Sequence, residues 1–159
     1  MGTYAKRRTI VMADDDADDC ALLRDAFGAA QVDSRFECVS DGRKLLDYLR
    51  DAVAAKVAGV AAQNLNGEPA IVVLDLNMPN MDGREALAAI RADPTLRHLP
   101  VVVFSTSKYS KDILASYEAG ANSYIVKPSS FAEFTRIARE LGAYWLGTVS
   151  LPTAPGSRG

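Results

Sequence analysis

Five short apolar runs recur along the chain, and after each one the apolar positions shift to helical spacing. The first run is Thr9 to Ala13 (TIVMA); Leu22, Leu23, Ala26 and Phe27 then predict a helix from Asp16 to about Ala29. Phe36 to Val39 is a second strand, and Ser40-Asp41-Gly42 is turn chemistry opening a helix that carries Leu45, Leu46 and Leu49. Ala70 to Leu74 is a third strand, and Gly83 to Ala92 a helix stopped by Asp93-Pro94. Val101 to Phe104, announced by Pro100, is the fourth strand, and Lys111 to Ala119 a helix ended by Gly120. Ser123 to Val126 is the fifth strand, and the last helix is expected from Ser130 to Leu146. Between Asp51 and Glu68, AVAAKVAGVAAQNLNG reads as a helix tail plus a long surface loop; composition does not fix where one becomes the other.

Strands alternating with helices imply an α/β fold built on a parallel sheet with right-handed crossovers. The expectation is a flavodoxin-like, doubly wound five-stranded sheet of order 2-1-3-4-5 with helices on both faces. Residues 1–8 are expected as an N-terminal tail, 9–146 as one domain and 147–159 as a C-terminal extension, with no internal repeat.

Composition changes this picture little. Hydrophobic residues are 48% and charged residues 24% of 159, ordinary for a soluble domain, and a formal net charge of −2 gives no basic field for nucleic acid. No apolar run approaches the roughly 20 residues of a membrane span, and MGTYAKRRTIVM lacks the apolar core of a signal peptide. The protein is therefore expected to be cytoplasmic, without a membrane or nucleic-acid partner. Cys20 and Cys38 show no metal-type spacing and are expected as small buried thiols in a reducing compartment.

Local charge is more informative. In a parallel sheet all strand C-termini lie on one edge, where a ligand crevice forms. The first strand ends in Asp14-Asp15-Asp16, the third in Asp75, the fourth in Ser105-Thr106 and the fifth in Lys127-Pro128. Carboxylates, a hydroxyl and an ammonium thus converge from remote parts of the chain. Two unit charges about 4 Å apart cost roughly 4 kcal/mol at an effective dielectric of about 20, a repulsion that a divalent cation removes. An all-oxygen site with few protein ligands suits Mg²⁺. Asp75, at the end of a buried strand and facing a metal, is a candidate carboxylate nucleophile for phosphoryl transfer.

DLNMPNMDG, the acidic pair after the first strand, FSTS after the fourth and GANSYIVKP around the fifth resemble the receiver domain of two-component response regulators over Thr9 to Leu146. The resemblance implies Asp75 as phosphoacceptor, Asp15 as direct Mg²⁺ ligand, Asp14 acting through water or hydrogen bonds, and the Asn77 carbonyl as a further metal ligand. It implies Ser105 as the switch hydroxyl, with Thr106 beside it, Tyr124 as the switch aromatic, Lys127 as the phosphoryl-binding lysine, and a cis bond before Pro128. It also implies a histidine kinase as phosphodonor. More narrowly, DGRKLLDYLR, the long loop and GAYWLGTVSLP are similar to stand-alone response regulators that partner bacterial phytochromes.

Asp16, Asp18 and Asp19 fit a helix N-cap and first turn better than a metal site. Asp82-Gly83 fits a helix start, and His98 a solvent-facing loop. Tyr144 and Trp145 fit either core packing or an exposed stripe for a homodimer. The expected function is a single-domain response regulator whose output is protein contact, dimerisation or transfer to a phosphotransfer protein. The alternatives are a degenerate receiver acting only as a binding module and an aspartyl-phosphate phosphatase. The latter needs an acid two residues beyond its nucleophile, where this chain has Asn77.

Overall fold

The computed structural model describes residues 7–58 and 68–152. Its strands are β1 (Arg8–Ala13), β2 (Ser34–Val39), β3 (Ile71–Leu74), β4 (Val101–Ser105) and β5 (Ser123–Val126), paired in parallel in the order β2-β1-β3-β4-β5. The helices are α1 (Ala17–Ala29), α2 (Gly42–Val57), α3 (Gly83–Ala92), α4 (Ser110–Glu118) and α5 (Phe131–Ala143). The fold class and strand order are those the sequence predicts. Most of the anticipated loop before β3 lies outside the described residues.

Strand periodicity divides the apolar side chains between two cores. Val11, Ala13, Val72, Leu74, Val101 and Val103 face α2 and α3, meeting Leu45, Leu46, Leu49, Leu87 and Ile90. Their neighbours Ile10, Met12, Ile71, Val73, Val102 and Phe104 point the other way, onto Leu23 and Phe27 of α1 and Phe134, Ile137 and Leu141 of α5. β1, β3 and β4 are covered on both faces, so they read as continuous apolar runs. The edges β2 and β5 are only partly buried.

Register then positions the strand ends. Ala13 pairs with Leu74, so Asp14 and Asp75 leave the sheet side by side. Ser105 pairs with Val126, which brings Lys127 out next to the β4 hydroxyl. Side-chain caps start the helices where turn chemistry predicts. Asp16 accepts from the Asp18 and Asp19 amides at 2.9 and 3.3 Å, and Asp41 from the Lys44 amide at 2.8 Å. Asp82 accepts from the Glu85 amide at 2.9 Å, and Ser130 from the Glu133 amide at 3.2 Å.

Two expectations need correction. Cys20 of α1 and Cys38 of β2 form a disulfide, with Cα atoms 6.4 Å apart, rather than two separate thiols. α1 lies beside edge strand β2, so residues 18 apart in sequence meet in space, a proximity that spacing alone does not signal. The last helix ends at Ala143 instead of Leu146 and passes into a π-helical turn, Tyr144–Thr148, closed by the Val149 amide on the Tyr144 carbonyl at 3.1 Å. Trp145 and Leu146 pack against the α1–α5 core, whereas Tyr144 is exposed.

Gly83 sits where the loop after β3 turns back: its amide donates to the Leu76 carbonyl at 2.9 Å, and an added Cβ would collide with the Asp75 backbone. Gly28, near the end of α1, has no atom within 4 Å of an added Cβ. Alanine at the two positions should therefore act with opposite sign. Gly83→Ala is expected to destabilise the chain by about 1–3 kcal/mol through a forced backbone shift. Gly28→Ala should stabilise it by about 0.4–1 kcal/mol by restricting the unfolded chain. Urea midpoints of the two variants, compared with the unaltered chain, measure both effects.

Candidate functional site

The residues at the carboxyl edge of the sheet are fixed first through their backbones. The Asp75 amide donates to the Ala13 carbonyl at 3.0 Å, the Asp14 amide to Val39 at 3.0 Å, and the Lys127 amide to Ser105 at 2.8 Å. Ladder hydrogen bonds thus continue one residue past each strand and aim the side chains that follow.

Those side chains meet. Asp14, Asp15 and Asp75 each present a carboxylate oxygen within 4.8 Å of the others; Asp14 and Asp75 are buried and Asp15 is exposed. The Lys127 ammonium lies 2.7 Å from Asp14 Oδ2, 2.8 Å from Asp19 Oδ2 and 3.6 Å from Asp75 Oδ2. Ser105 is fully buried, and its hydroxyl accepts from the Ser107 amide at 3.2 Å. Thr106 and Asn77 are exposed at the rim. Tyr124 is half-buried, with its hydroxyl donating to the Ser107 carbonyl at 2.8 Å. Three carboxylates converging on one point form a donor set that fits a hard, oxygen-seeking divalent cation.

The bond before Pro128 is trans, against the expected cis: no cis peptide occurs among the described residues. Trans is favoured at X-Pro by about 0.5–1 kcal/mol. The hydrogen bond from the Lys127 amide to the Ser105 carbonyl and the ion pairs to Asp14 and Asp19 already place Lys127 in the site.

Sequence reasoning missed four contacts. Asp19 does more than favour the helix dipole, since it bonds Lys127; its position in the first turn of α1, just after the end of β1, is the available signal. Ser107 Oγ donates to Asp112 Oδ2 at 2.6 Å, and Arg84 reaches Asp112 Oδ1 at 3.3 Å, linking α3, the loop after β4 and α4. His98 is not solvent-facing; it is largely buried against Glu68 across the loop before β3. By contrast Asp16 and Asp82 are the helix caps the sequence suggests.

The pattern of the family described as response regulator receiver domain matches residues 10–139. Response regulator Rcp1 of Synechocystis sp. is 30% identical over 147 residues, 92% of this chain and 95% of the relative. The Mn²⁺-bound crystal structure of Rcp1 covers 92% of this chain and 99% of its own at TM-score 0.75 and 30% identity. The phosphorylated cyanobacterial phytochrome response regulator RcpA superimposes at TM-score 0.78 with 34% identity, over 92% of this chain and 99% of its own. RPA3017, a response regulator in red light signalling of R. palustris, does so at TM-score 0.79 with 39% identity and the same coverage.

Electrostatics at the site are uneven. The Asp75 carboxyl is pushed up from 3.8 to about 6. Burial is the main cause; the Lys127 charge opposes it, the Asp14 charge reinforces it, and the Asn77 and Leu76 amides oppose it. Burial acts to lower Lys127, but hydrogen bonds to Asp14 and Asp19, with the charges of Asp75 and Asp14, carry it above its ordinary value.

A carboxyl whose folded value exceeds its unfolded one holds its proton more tightly in the folded chain. Its contribution to stability is fully present below pH 3.8 and is lost as pH rises through about 6. Without a divalent cation, ionised Asp75 therefore weakens the fold at neutral pH. Asp75→Asn in the presence of a chelator should be the more stable chain at about pH 7.5, with the advantage shrinking toward about pH 4.5. Urea unfolding at both pH values measures this; a difference independent of pH would place the Asp75 carboxyl at its ordinary value.

Proposed function

The chain belongs to the response regulator receiver domain family, and from that premise we propose that Asp75 accepts a phosphoryl group from the phosphohistidine of a histidine kinase in a Mg²⁺-dependent step. The observation that carries this reading is the meeting of the Asp14, Asp15 and Asp75 carboxylates with the Lys127 ammonium at one edge of the sheet.

A carboxylate oxygen of Asp75 attacks phosphorus, the bond from phosphorus to the imidazole nitrogen breaks, and that nitrogen keeps the electron pair and takes a proton. Asp15 and Asp75 would hold the metal, with the Asn77 carbonyl as a further ligand and Asp14 acting through water or hydrogen bonds. When bound, Mg²⁺ supplies neutralisation of charge on the carboxylates and on the transferring phosphoryl oxygens. Asp75 does not reach Lys127 within hydrogen-bond range, so the ammonium does not tie up its oxygen. Ser105 and Lys127 then each bond a phosphoryl oxygen. Drawing Ser105 inward moves the loop after β4, and Tyr124 leaves the Ser107 carbonyl to fill the space.

The consequence falls on the face made by α4, β5 and α5, where Tyr109, Leu114, Tyr117 and Phe131 are exposed. Output through this face takes the form of protein contact or onward transfer to a phosphotransfer protein. The likeness to a cyanobacterial phytochrome response regulator and to a response regulator in red light signalling favours a bacterial phytochrome as the cognate kinase. Exposed Tyr144, stacked edge-on against Trp145, supports a homodimer. A phosphatase reading is disfavoured by Asn77, which has no acid to offer, and a pure binding module by the intact set of Asp14, Asp15, Asp75 and Lys127.

With Mg²⁺ and a small phosphoramidate donor, intact mass should show one phosphoryl group on the unaltered chain and none on Asp75→Asn. Asp15→Asn should slow the labelling by at least about tenfold. An equal adduct on Asp75→Asn, or rapid turnover of phosphomonoesters, would remove this function. For the homodimer, ending the chain at Gly142 or introducing Tyr144→Asp should lower the solution mass measured by light scattering; an unchanged mass in both variants retires it.

A further inference from the structure

An ammonium has three N–H donors, and the partners of Lys127 in this structure leave one of them uncommitted. Asp14 Oδ2 takes one at 2.7 Å and Asp19 Oδ2 another at 2.8 Å, while Asp75 Oδ2, at 3.6 Å, lies beyond hydrogen-bond range. Asp14 belongs to the strand-end cluster already described. Asp19 does not: it is the third residue of α1, outside the three-carboxylate group, and its backbone is fixed by its amide bond to the Asp16 cap at 3.3 Å. Among the described residues, its side chain bonds to Lys127 alone.

We propose that Asp19 is a positioning residue that restrains the Lys127 ammonium short of Asp75 until a phosphoryl group competes for it. This rests on the phosphoacceptor reading of Asp75 given above. Two observations make Asp19, rather than Asp14, the partner that yields. The Asp19 side chain is 23% exposed against 1% for Asp14, so water can take over its oxygen when the ammonium leaves. Leaving a buried carboxylate unpaired is far more costly than leaving a hydrated one. The Lys127 backbone is pinned to Ser105, so the handover is a side-chain movement within the site. One N–H passes from the Asp19 carboxylate to a phosphoryl oxygen, and the third remains free for a second oxygen. Asp19 thus sets how readily the site accepts the phosphoryl group, without touching it.

Beryllium trifluoride, a mimic of the phosphoryl group, reads this competition directly in the presence of Mg²⁺. Asp19→Asn should bind it on the order of tenfold more tightly than the unaltered chain, because a charge-assisted acceptor competing for Lys127 is replaced by a neutral one. Asp18→Asn removes the same charge one residue away, from an exposed side chain with no hydrogen bond among the described residues, and should stay within about twofold of the unaltered chain. In lysine-labelled protein, the Lys127 side-chain nitrogen resonance should shift on adding the mimic to the unaltered chain. In Asp19→Asn it should already be displaced before the addition. Equal affinity in Asp19→Asn and the unaltered chain, an equal gain in Asp18→Asn, or an undisplaced Lys127 resonance would overturn the role of Asp19 alone. Failure of the unaltered chain to bind the mimic would overturn the phosphoacceptor reading and this inference with it.

Discussion

The Lys127 ammonium sits among three carboxylates in a place where water can screen little of their mutual repulsion, with its own side chain 7% exposed and that of Asp14 1% exposed. Removing one partner of such a buried pair costs about 3–5 kcal/mol, whereas well-packed apolar groups in place of both are often neutral or stabilising. The cluster is therefore a poor way to hold a fold together. The proposed function gives it a purpose at the sheet edge: Lys127 offsets part of the negative charge and leaves the remainder for a cation and a phosphoryl group. Every other feature of the site depends on that balance, because a sheet edge carrying Asp14, Asp15 and Asp75 without Lys127 would be driven apart.

The rest of the chain is arranged to keep the balance in register. Parallel pairing sets Ala13 level with Leu74 and Ser105 level with Val126, so a slip of one residue would turn the apolar set of a strand to the wrong core as well as misplace the charged residue after it. Burial of β1, β3 and β4 on both faces makes that slip costly, since Val11 and Ile10 belong to different cores. Gly83 adds a local constraint by letting the loop after β3 fold back against the Asp75 backbone. Apolar packing thus locates the ionic site without contributing any of its chemistry.

How far the sequence reveals this follows from the range of each interaction. Strand periodicity, helix caps and the residues directly after each strand are local, so the topology and the four chemistry-bearing strand ends are legible from residue order. The contacts that escape it are set by packing between elements. The Cys20–Cys38 bond depends on how α1 lies against β2, and the Asp19–Lys127 bond on how α1 rises over the sheet edge. His98 meets Glu68 although the two lie 30 residues apart in the chain. The end of α5 escapes for a different reason: Tyr144, Trp145 and Leu146 continue the helical pattern, yet the Thr148 hydroxyl and Val149 amide satisfy the last carbonyls with a wider turn. The trans bond at Pro128 was expected as cis on resemblance alone, and the ion pairs of Lys127 do not require it.

A chain of polar contacts connects the charge balance to the surface. Tyr124 bonds the Ser107 carbonyl, the Ser107 hydroxyl bonds Asp112 of α4, and Asp112 in turn meets Arg84 of α3. The Ser107 amide bonds the buried Ser105 hydroxyl, so one residue joins the interior of the site to two helices. A change in what Ser105 bonds must therefore be transmitted through Ser107 or break one of its contacts. These contacts are short, specific and few, which favours two discrete arrangements over gradual deformation. In the proposed function the energy that chooses between them is local: a phosphoryl group would bring added negative charge to a site whose buried ammonium is already shared between Asp14 and Asp19. The ammonium cannot hold its 2.8 Å contact to Asp19 and also close the 3.6 Å gap to Asp75, and in the proposed function that competition is the physical basis on which a covalent event at Asp75 reaches the exposed face of α4.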